Sequence, residues 1–243
     1  MKKPFLFLAV TLISFSSQAE TDTVDPSDMT RTYTQFTAGM NTKGDAKIMG
    51  SMSGAYSNGH EFMAVGEATM NTDGDYKDAR IQYYHVLQTG SGFAPRAAGM
   101  IDLIDNDLFS TANLGAATVF KTGIQGFDIY ARVGATVGEY SEDFANSQGI
   151  TDRSAVGYMW GVYPTYVASN GVYLSVYPEF LGLSGDSDFN NLKTTVSFGA
   201  PMNESKTTWL NLKFENVQND WETNGVKQST NDNVLWSFIK LYF

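Results

Sequence analysis

Apolar and polar residues alternate along most of this chain, in runs of about ten residues separated by turn-forming residues. Phe127 and Ile129, for example, alternate with Asp128 and Tyr130. A period of two places successive side chains on opposite faces of a β-strand. The connectors, such as Ser-Asn-Gly at 57–59, have the composition of hairpin turns. The pattern therefore predicts an all-β chain of consecutive antiparallel hairpins.

Twelve such runs can be counted from the first to the last. They span residues 32–40, 46–56, 61–70, 77–89, 95–105, 107–120, 126–138, 154–168, 171–182, 192–200, 207–218 and 233–243. The three longest connectors, 139–153, 183–191 and 219–232, are the seventh, ninth and eleventh, so they fall at one end of an up-and-down arrangement. This parity favours an even number of strands with both termini at the opposite end.

We predict a single antiparallel up-and-down transmembrane β-barrel of about twelve strands over residues 32–243. Counts of ten or fourteen remain open, because a hairpin early in the chain could be miscounted. A soluble two-sheet sandwich would show the same alternation. The strand number, the loop parity and the two chain ends favour the barrel.

The chain begins with the layout of a secretory signal peptide. Lys2 and Lys3 precede an apolar run over 4–15, and small residues, Ser17 and Ala19, follow it. The run is about 12 residues, too short for a spanning helix of roughly 20. We predict a signal peptide at 1–19, cleavage after Ala19, and a periplasmic N-terminal segment at 20–31.

Composition narrows the possible partners and chemistries. The chain has no cysteine, so it can form neither disulfides nor thiolate metal sites. Its formal net charge of −10 argues against a nucleic-acid partner. No apolar stretch after the leader is long enough for a spanning helix, so an exported chain of this kind could cross a membrane only as a closed barrel.

Charged residues sort onto one face of the predicted strands. Because Arg or Lys in the lipid midplane costs about 2 to 4 kcal/mol, that face is expected to point into a polar lumen. The predicted lumen-lining residues are Arg31, Lys47, Glu67, Arg80, Arg96, Asp102, Asp128, Arg132, Glu179, Lys193, Lys213 and Lys240. The interior charges include a slight basic excess, which would favour anions.

The last strand ends in an aromatic residue with apolar residues at alternate positions before it. It resembles the C-terminal signature of bacterial outer-membrane proteins. The matching positions are Leu235, Ile239, Leu241 and Phe243, with Ser237 as a polar departure. The resemblance implies a location in the cell outer membrane and recognition by the barrel-assembly machinery. Outer-membrane lipid and lipopolysaccharide would then be further partners.

Neither histidine carries a hydrolase pattern. Barrel lipases have a His-x-Ser pair, and omptin-type barrel proteases place Asp two residues before His, but here His60 and His85 have neither neighbour. His60 is read as a solvated turn residue and His85 as an interfacial residue on the lipid face. The acidic turns do not complete a calcium loop. The sequence predicts no catalytic site, no metal site and no cofactor.

Two functions remain. A twelve-stranded barrel encloses more space than eight strands, whose side chains just fill the interior. The leading hypothesis is a porin-like outer-membrane channel for small polar or ionic solutes. The alternative is a surface interaction barrel of the adhesin or receptor type, with a plugged lumen, that acts through its long loops. Its apolar anchors would be Tyr140, Phe144, Ile150, Phe189 and Trp221.

Overall fold

The computed structural model describes residues 24–243, which form a closed barrel of twelve antiparallel strands. The elements are β1 (Gln35–Asn41), β2 (Ala46–Ala55), β3 (Glu61–Met70), β4 (Tyr76–Gln88), β5 (Arg96–Asn106), β6 (Phe109–Lys121), β7 (Phe127–Tyr140), α1 (Glu142–Gln148), β8 (Ser154–Val167), β9 (Tyr173–Gly185), β10 (Ser187–Pro201), β11 (Thr208–Thr223) and β12 (Val226–Tyr242). The predicted signal peptide lies outside the described residues and stays a prediction.

Each strand pairs with its neighbours in sequence, and β1 also pairs with β12. The closing ladder runs from Gln35 opposite Tyr242 to Asn41 opposite Trp236. Because this pairing leaves no free edge, every strand has hydrogen-bonding neighbours on both sides. The predicted all-β, up-and-down barrel of twelve strands is therefore confirmed.

Side chains alternate between the interior and the outer surface, as the period-two pattern predicts. The outer surface carries a broad apolar band. Its members include Phe36, Ile48, Met52, Ile81, Ile101, Leu103, Leu114, Val133, Val137, Val156, Leu174, Val176, Val196, Phe198, Leu212, Phe214, Leu235, Ile239 and Leu241. No helix among residues 24–243 is long and apolar enough to span a membrane.

The barrel has two distinct ends. The terminal end carries the start of β1, the end of β12 and the connectors that follow even-numbered strands. The loop end carries the connectors that follow odd-numbered strands. These two names are used below.

The prediction of three long loops at the loop end is wrong for two of them, 183–191 and 219–232. Only residue 186 separates β9 from β10, and only Asn224 and Gly225 separate β11 from β12. Asn224 and Gly225 have φ values of 52° and 75°, which suit a tight hairpin turn. Segments 183–191 and 219–232 are instead mostly strand.

The error has a physical cause. In the tips of these hairpins the outward positions are polar, as at Asp188, so the apolar outward alternation disappears, but a β-ladder needs only backbone partners. The apolar outward positions of β11 and β12 end near Phe214 and Leu235, which are paired across the two strands. Beyond them, exposed Asp220 and Lys227 occur among other polar residues. The hairpin therefore projects past the apolar band.

Connector 141–153 is the one predicted long loop that remains a connector, and it contains α1. Ser141 caps the helix by accepting a hydrogen bond from the Phe144 N–H at 3.2 Å. Gly149 ends it in the left-handed region at φ 67°. The helix buries Phe144 and Ala145 against the barrel interior.

Some interior aromatic rings lie directly over glycines on the neighbouring strand. Tyr173 on β9 is paired with Gly199 on β10, and a Cβ atom on Gly199 would lie 2.1 Å from Tyr173 Cε1. The ring occupies the space that a side chain would fill, an arrangement that fixes strand register. Tyr173 also packs against Trp209 and Tyr242 at the terminal end.

We predict that Gly199→Ala will lower the free energy of unfolding by about 1 to 3 kcal/mol, because Tyr173 must leave its position. Urea unfolding of the refolded protein, followed by tryptophan fluorescence, measures the change. Gly66→Ala is the matched control, because a Cβ there has no atom within 4 Å. Equal stability of the two variants would contradict the proposed role of the ring.

Candidate functional site

The predicted lumen-lining residues occupy different heights of the barrel interior. A cavity of about 350 Å³ lies towards the loop end. The predicted residues that line it are Lys47, Glu67, Arg80, Arg132, Glu179 and Lys193. Asp102 is buried beside them with an exposed fraction of 0%. Lys213 and Lys240 project from β11 and β12 nearer the terminal end.

Asp102 on β5 is shared by two guanidinium groups. Arg80 on β4 donates from Nε at 2.7 Å and also from Nη2. Arg132 on β7 approaches the same carboxylate with Nη1 at 3.5 Å. Between β5 and β7, strand β6 contributes Asn113, whose side-chain amide donates to the Asp102 carbonyl at 3.0 Å. A buried carboxylate paired in this way neutralises charges that would otherwise repel each other.

The network continues from Arg132 on β7 to residues of β8, β9 and β10. Arg132 Nη2 donates to Glu179 on β9, whose second carboxylate oxygen lies 3.0 Å from Lys193 Nζ on β10. Tyr163 on β8 donates its hydroxyl proton to the same Glu179 at 3.0 Å. Cations and carboxylates therefore alternate around the wall from β4 to β10. We call these residues, Arg80, Asp102, Arg132, Glu179 and Lys193, the charge belt.

A second, looser group faces the charge belt. Lys47 Nζ on β2 lies 3.8 Å from a carboxylate oxygen of Glu67 and 3.8 Å from one of Asp78. The same ammonium group lies 5.4 Å from the centre of the Trp236 ring. Trp236 also donates its indole N–H to Glu215 at 3.1 Å. All these groups border the cavity, so it has charges of both signs on facing walls.

Further ion pairs lie at the rim of the loop end. Lys77 Nζ lies 2.9 Å from Asp45, and Lys43 pairs with Asp232. Burial acts to raise the pKa of the Asp45 carboxyl, but hydrogen bonds from Lys77 and Asn41 outweigh it, so its pKa is below the ordinary value. Asp45 is therefore ionised at neutral pH and holds Lys77 at the rim.

Lys213 and Lys240 differ from the other interior cations. Within residues 24–243, neither ammonium group has a carboxylate oxygen within 4.0 Å. Lys213 Nζ instead lies 6.0 Å from the Tyr177 ring centre and 5.4 Å from that of Phe238. Lys240 is paired in register with Thr37 and Trp209, which carry no charge. Unlike the cations of the charge belt, these two lysines therefore form no ion pair within the described residues.

Aromatic residues narrow the interior towards the terminal end. Tyr130, Tyr163 and Val119 form one buried cluster, and Tyr177 packs against it. A separate cavity of about 190 Å³ lies near the terminal end, lined in part by Asp25 and Trp209. It shares no lining residue with the larger cavity.

The apolar anchors predicted for a surface interaction are mostly buried inside the barrel. Tyr140, Phe144, Ile150 and Phe189 have exposed fractions of 0%, 7%, 8% and 0%. Trp221 packs on Phe144 with 5.8 Å between ring centres. The connector that contains α1 thus covers one wall of the loop end with its apolar side turned inward.

Arg31, Arg96 and Asp128 lie at the terminal end, apart from the charge belt. Arg96 pairs with Asp28, and Asp128 accepts from Lys121 Nζ at 2.5 Å. Arg31 Nε lies 3.6 Å from the same Asp28. From the sequence, Arg96 and Asp128 are predicted to line the lumen, whereas Asp28 is not identified. Its position in a turn-rich stretch before the first strand gave no period-two signal.

The two histidines form a pair on the wall near the terminal end, which their separate interpretations did not anticipate. His60 Nδ1 and His85 Nε2 are 3.0 Å apart, and the Tyr56 ring lies 5.4 Å from that of His85. The Tyr56 and Tyr83 hydroxyls are hydrogen-bonded at 3.1 Å. Within the described chain, no group of three or more residues suited to hold a metal occurs here or elsewhere.

We predict that Asp102→Ala will lower the free energy of unfolding by about 3 kcal/mol or more, because Arg80 loses its buried partner. Urea unfolding of the refolded barrel measures the loss. Glu139→Ala removes an exposed ion pair with Arg153, 3.1 Å long, and should cost less than about 1 kcal/mol. Similar losses in the two variants would show that the charge belt does not stabilise the wall.

The sequence matches no protein-family model and no curated protein. The fold, however, is similar to that of solved outer-membrane porins. The KdgM porin superimposes with a TM-score of 0.56 at 9% sequence identity, covering 86% of this chain and 99% of that one. The NanC porin superimposes with a TM-score of 0.60 at 8% identity, covering 86% of this chain and 100% of that one. The chain therefore has the barrel fold of these porins.

Proposed function

We propose that this chain is a porin-like channel of the bacterial outer membrane for small polar or ionic solutes, with a preference for anions. The observation that carries the proposal is a closed barrel whose outside is apolar and whose inside holds charged residues around a cavity of about 350 Å³. A closed barrel is one of two structures that can span a bilayer. The terminal end would face the periplasm and the loop end the exterior.

The interior chemistry supports a hydrated lumen. Charged and amide side chains, among them Lys47, Glu67, Asn113 and Asn191, border the cavity. Buried polar atoms in proteins almost always have a protein or water partner. The polar groups that border the cavity therefore make an interior suited to water and polar solutes.

The preference for anions rests on Lys213 and Lys240. The charge belt is largely self-neutralised, because each of its carboxylates lies between two cations. The two lysines have aromatic and hydroxyl neighbours and so present their charge to a passing solute. Rings of basic side chains favour anions in pores.

A structural neighbour suggests one class of anion to test. The KdgM porin has been solved in complex with disordered oligogalacturonate. Galacturonate is a sugar with a carboxylate group, and an ammonium group beside aromatic rings can bind both parts of such a molecule. We propose short carboxylated sugars as the first solutes for transport assays on this chain.

The alternative function, a surface interaction barrel with a plugged lumen, has less support. Its apolar anchors are turned inward, and two of its three loops are strands. What the loop end presents outward is mainly polar hairpin tips. A binding role for them has no apolar hot spot of the kind that protein interfaces use.

We predict that Lys213→Gln combined with Lys240→Gln will lower the anion-to-cation permeability ratio by roughly threefold or more, because the interior loses two basic groups that form no ion pair. Reversal potentials across planar bilayers in a salt gradient measure the ratio. Lys227→Gln is the control, because Lys227 is 81% exposed at a hairpin tip. An unchanged ratio in the double variant would refute the role of these lysines.

We also propose that the last strand directs insertion. Leu235, Ile239, Leu241 and Phe243 all point outward and are exposed, so the barrel-assembly machinery could reach them. Lipid and lipopolysaccharide would then surround the apolar band. These partners follow from the resemblance of the C-terminal strand and from the outward apolar surface.

Phe243→Ala is therefore expected to reduce the amount of assembled barrel in the outer membrane several-fold, while refolding in detergent stays as in the wild type. Heat-modifiable mobility on gels measures both. Phe198→Ala is the control, since Phe198 is also an outward aromatic residue, at the terminal end of β10. Equal cellular yields for the two variants would mean that the terminal residue carries no special signal.

A further inference from the structure

The residues that precede β1 fold into the barrel. Ser27, Asp28 and Thr30 have exposed fractions of 3%, 8% and 6%, although none of them belongs to a strand. We call residues 24–33 the N-terminal segment. Burial of three polar residues among the four positions 27–30 requires hydrogen-bonding or charged partners.

The shape of the N-terminal segment is set by two successive turns. The Asp28 N–H donates to the Asp25 carbonyl and the Arg31 N–H to the Asp28 carbonyl, each at 3.2 Å. The Asp25 side chain accepts from the Ser27 N–H at 3.1 Å, and the Asp28 side chain accepts from the Thr30 N–H at 3.0 Å. Aspartate side chains that bond the backbone two residues on stabilise such turns. The segment is therefore an ordered unit rather than a passing connection.

The N-terminal segment contacts walls on different sides of the barrel. Asp28 pairs with Arg96 on β5, and both side chains are largely buried, with exposed fractions of 9% and 14%. Val24 packs against the cluster of Tyr173, Trp209 and Tyr242, which belong to β9, β11 and β12. In the circular strand order, β5 and the β9 to β12 arc lie apart, separated by β1 to β4 on one side. A segment that touches both must cross the lumen.

The contact of the segment with the β3 and β5 side includes two side-chain interactions. Asp28–Arg96 is its buried ion pair, and Thr32 adds a hydrogen bond to Glu61 on β3 at 2.8 Å. The segment has no backbone ladder with the wall, in contrast to every strand. A cavity of about 190 Å³ remains beside it, lined in part by Val24, Asp25 and Trp209.

We propose that the N-terminal segment is a constriction across the terminal end of the lumen, held in place by the Asp28–Arg96 pair, and that it limits the size of the solutes that pass. The inference rests on the proposed channel function. It assigns Asp28 and Arg96 a role in selecting solutes by size, which is distinct from the charge selection proposed for Lys213 and Lys240.

Thiol labelling tests whether the pair holds the segment. The chain has no cysteine, so Ser27→Cys supplies a single thiol at a buried position of the segment. We expect slow reaction with a charged, membrane-impermeant maleimide. Adding Arg96→Gln should raise the rate by about tenfold or more, because labelling follows the local opening of the segment. Asp28→Asn, which alters the segment and leaves the wall intact, should do the same.

Lys77→Gln is the matched control for labelling. It breaks the pair with Asp45, a carboxylate as buried as that of Asp28, with 9% exposure in both cases, but at the opposite end of the barrel. The rate at Ser27→Cys should be unchanged in this background. Heat-modifiable mobility on gels establishes that each variant has folded as a barrel.

Conductance in planar bilayers tests whether the segment constricts the lumen. Arg96→Gln and Asp28→Asn, each without the added cysteine, should increase the single-channel conductance by at least about twofold over wild type. Proteoliposome swelling with a size series of neutral sugars should show a larger cut-off for the same variants. Faster labelling together with larger conductance would support the inference.

Each of the other outcomes would refute the constriction, the role of the ion pair or the channel function. Faster labelling with unchanged conductance and cut-off would refute the constriction. Unchanged labelling in both variants would refute the role of the Asp28–Arg96 pair. Absence of conductance in wild type and variants alike would overturn the channel function, and the constriction with it. If labelling were still faster with Arg96→Gln in that last case, the Asp28–Arg96 pair would hold the segment as proposed, and only the channel function would be wrong.

Discussion

The structure depends first on the pairing of β1 with β12. A sheet that spans hydrocarbon must leave no backbone N–H or C=O unpaired, because each unsatisfied group there costs several kcal/mol. The antiparallel register from Gln35–Tyr242 to Asn41–Trp236 removes the last two free edges. Once the sheet is closed, successive side chains point alternately to the outer surface and to the interior. Apolar side chains form the outer band, and the charged side chains must find partners inside.

Inside the barrel, the charged side chains are paired through carboxylates that each contact two cations. Asp102 lies between Arg80 and Arg132, and Glu179 lies between Arg132 and Lys193, so the cations on β4, β7 and β10 are separated by anions on β5 and β9. Such pairing neutralises most of the wall, whereas Lys213 and Lys240 form no ion pair within the described residues. The aromatic residues and the N-terminal segment then narrow the terminal end, while α1 covers part of the loop end. The proposed channel thus has its charge and its width determined by different residues.

Much of this could be predicted from sequence, because the interactions that make a barrel are repetitive. The number of strands, their antiparallel order and the inward side of residues such as Arg132 and Lys240 follow from apolar alternation. The hairpin tips could not be found that way, since polar residues at the outward positions erase the apolar outward signal, although Asn224-Gly225 is a recognisable hairpin turn. The partners of individual charges also escaped prediction. Asp28, which binds Arg96, belongs to no strand, and the pairing of His60 with His85 depends on the register of β3 against β4.

The proposed channel requires a continuous, water-filled path across this barrel. Single-channel recording of the refolded wild-type protein in planar bilayers tests it most directly. A channel of the proposed kind gives discrete and reproducible current steps that scale with salt concentration and, in a salt gradient, reverse at a potential that indicates anion preference. A correctly folded, heat-modifiable barrel that inserts into the bilayer and gives no current steps would contradict it.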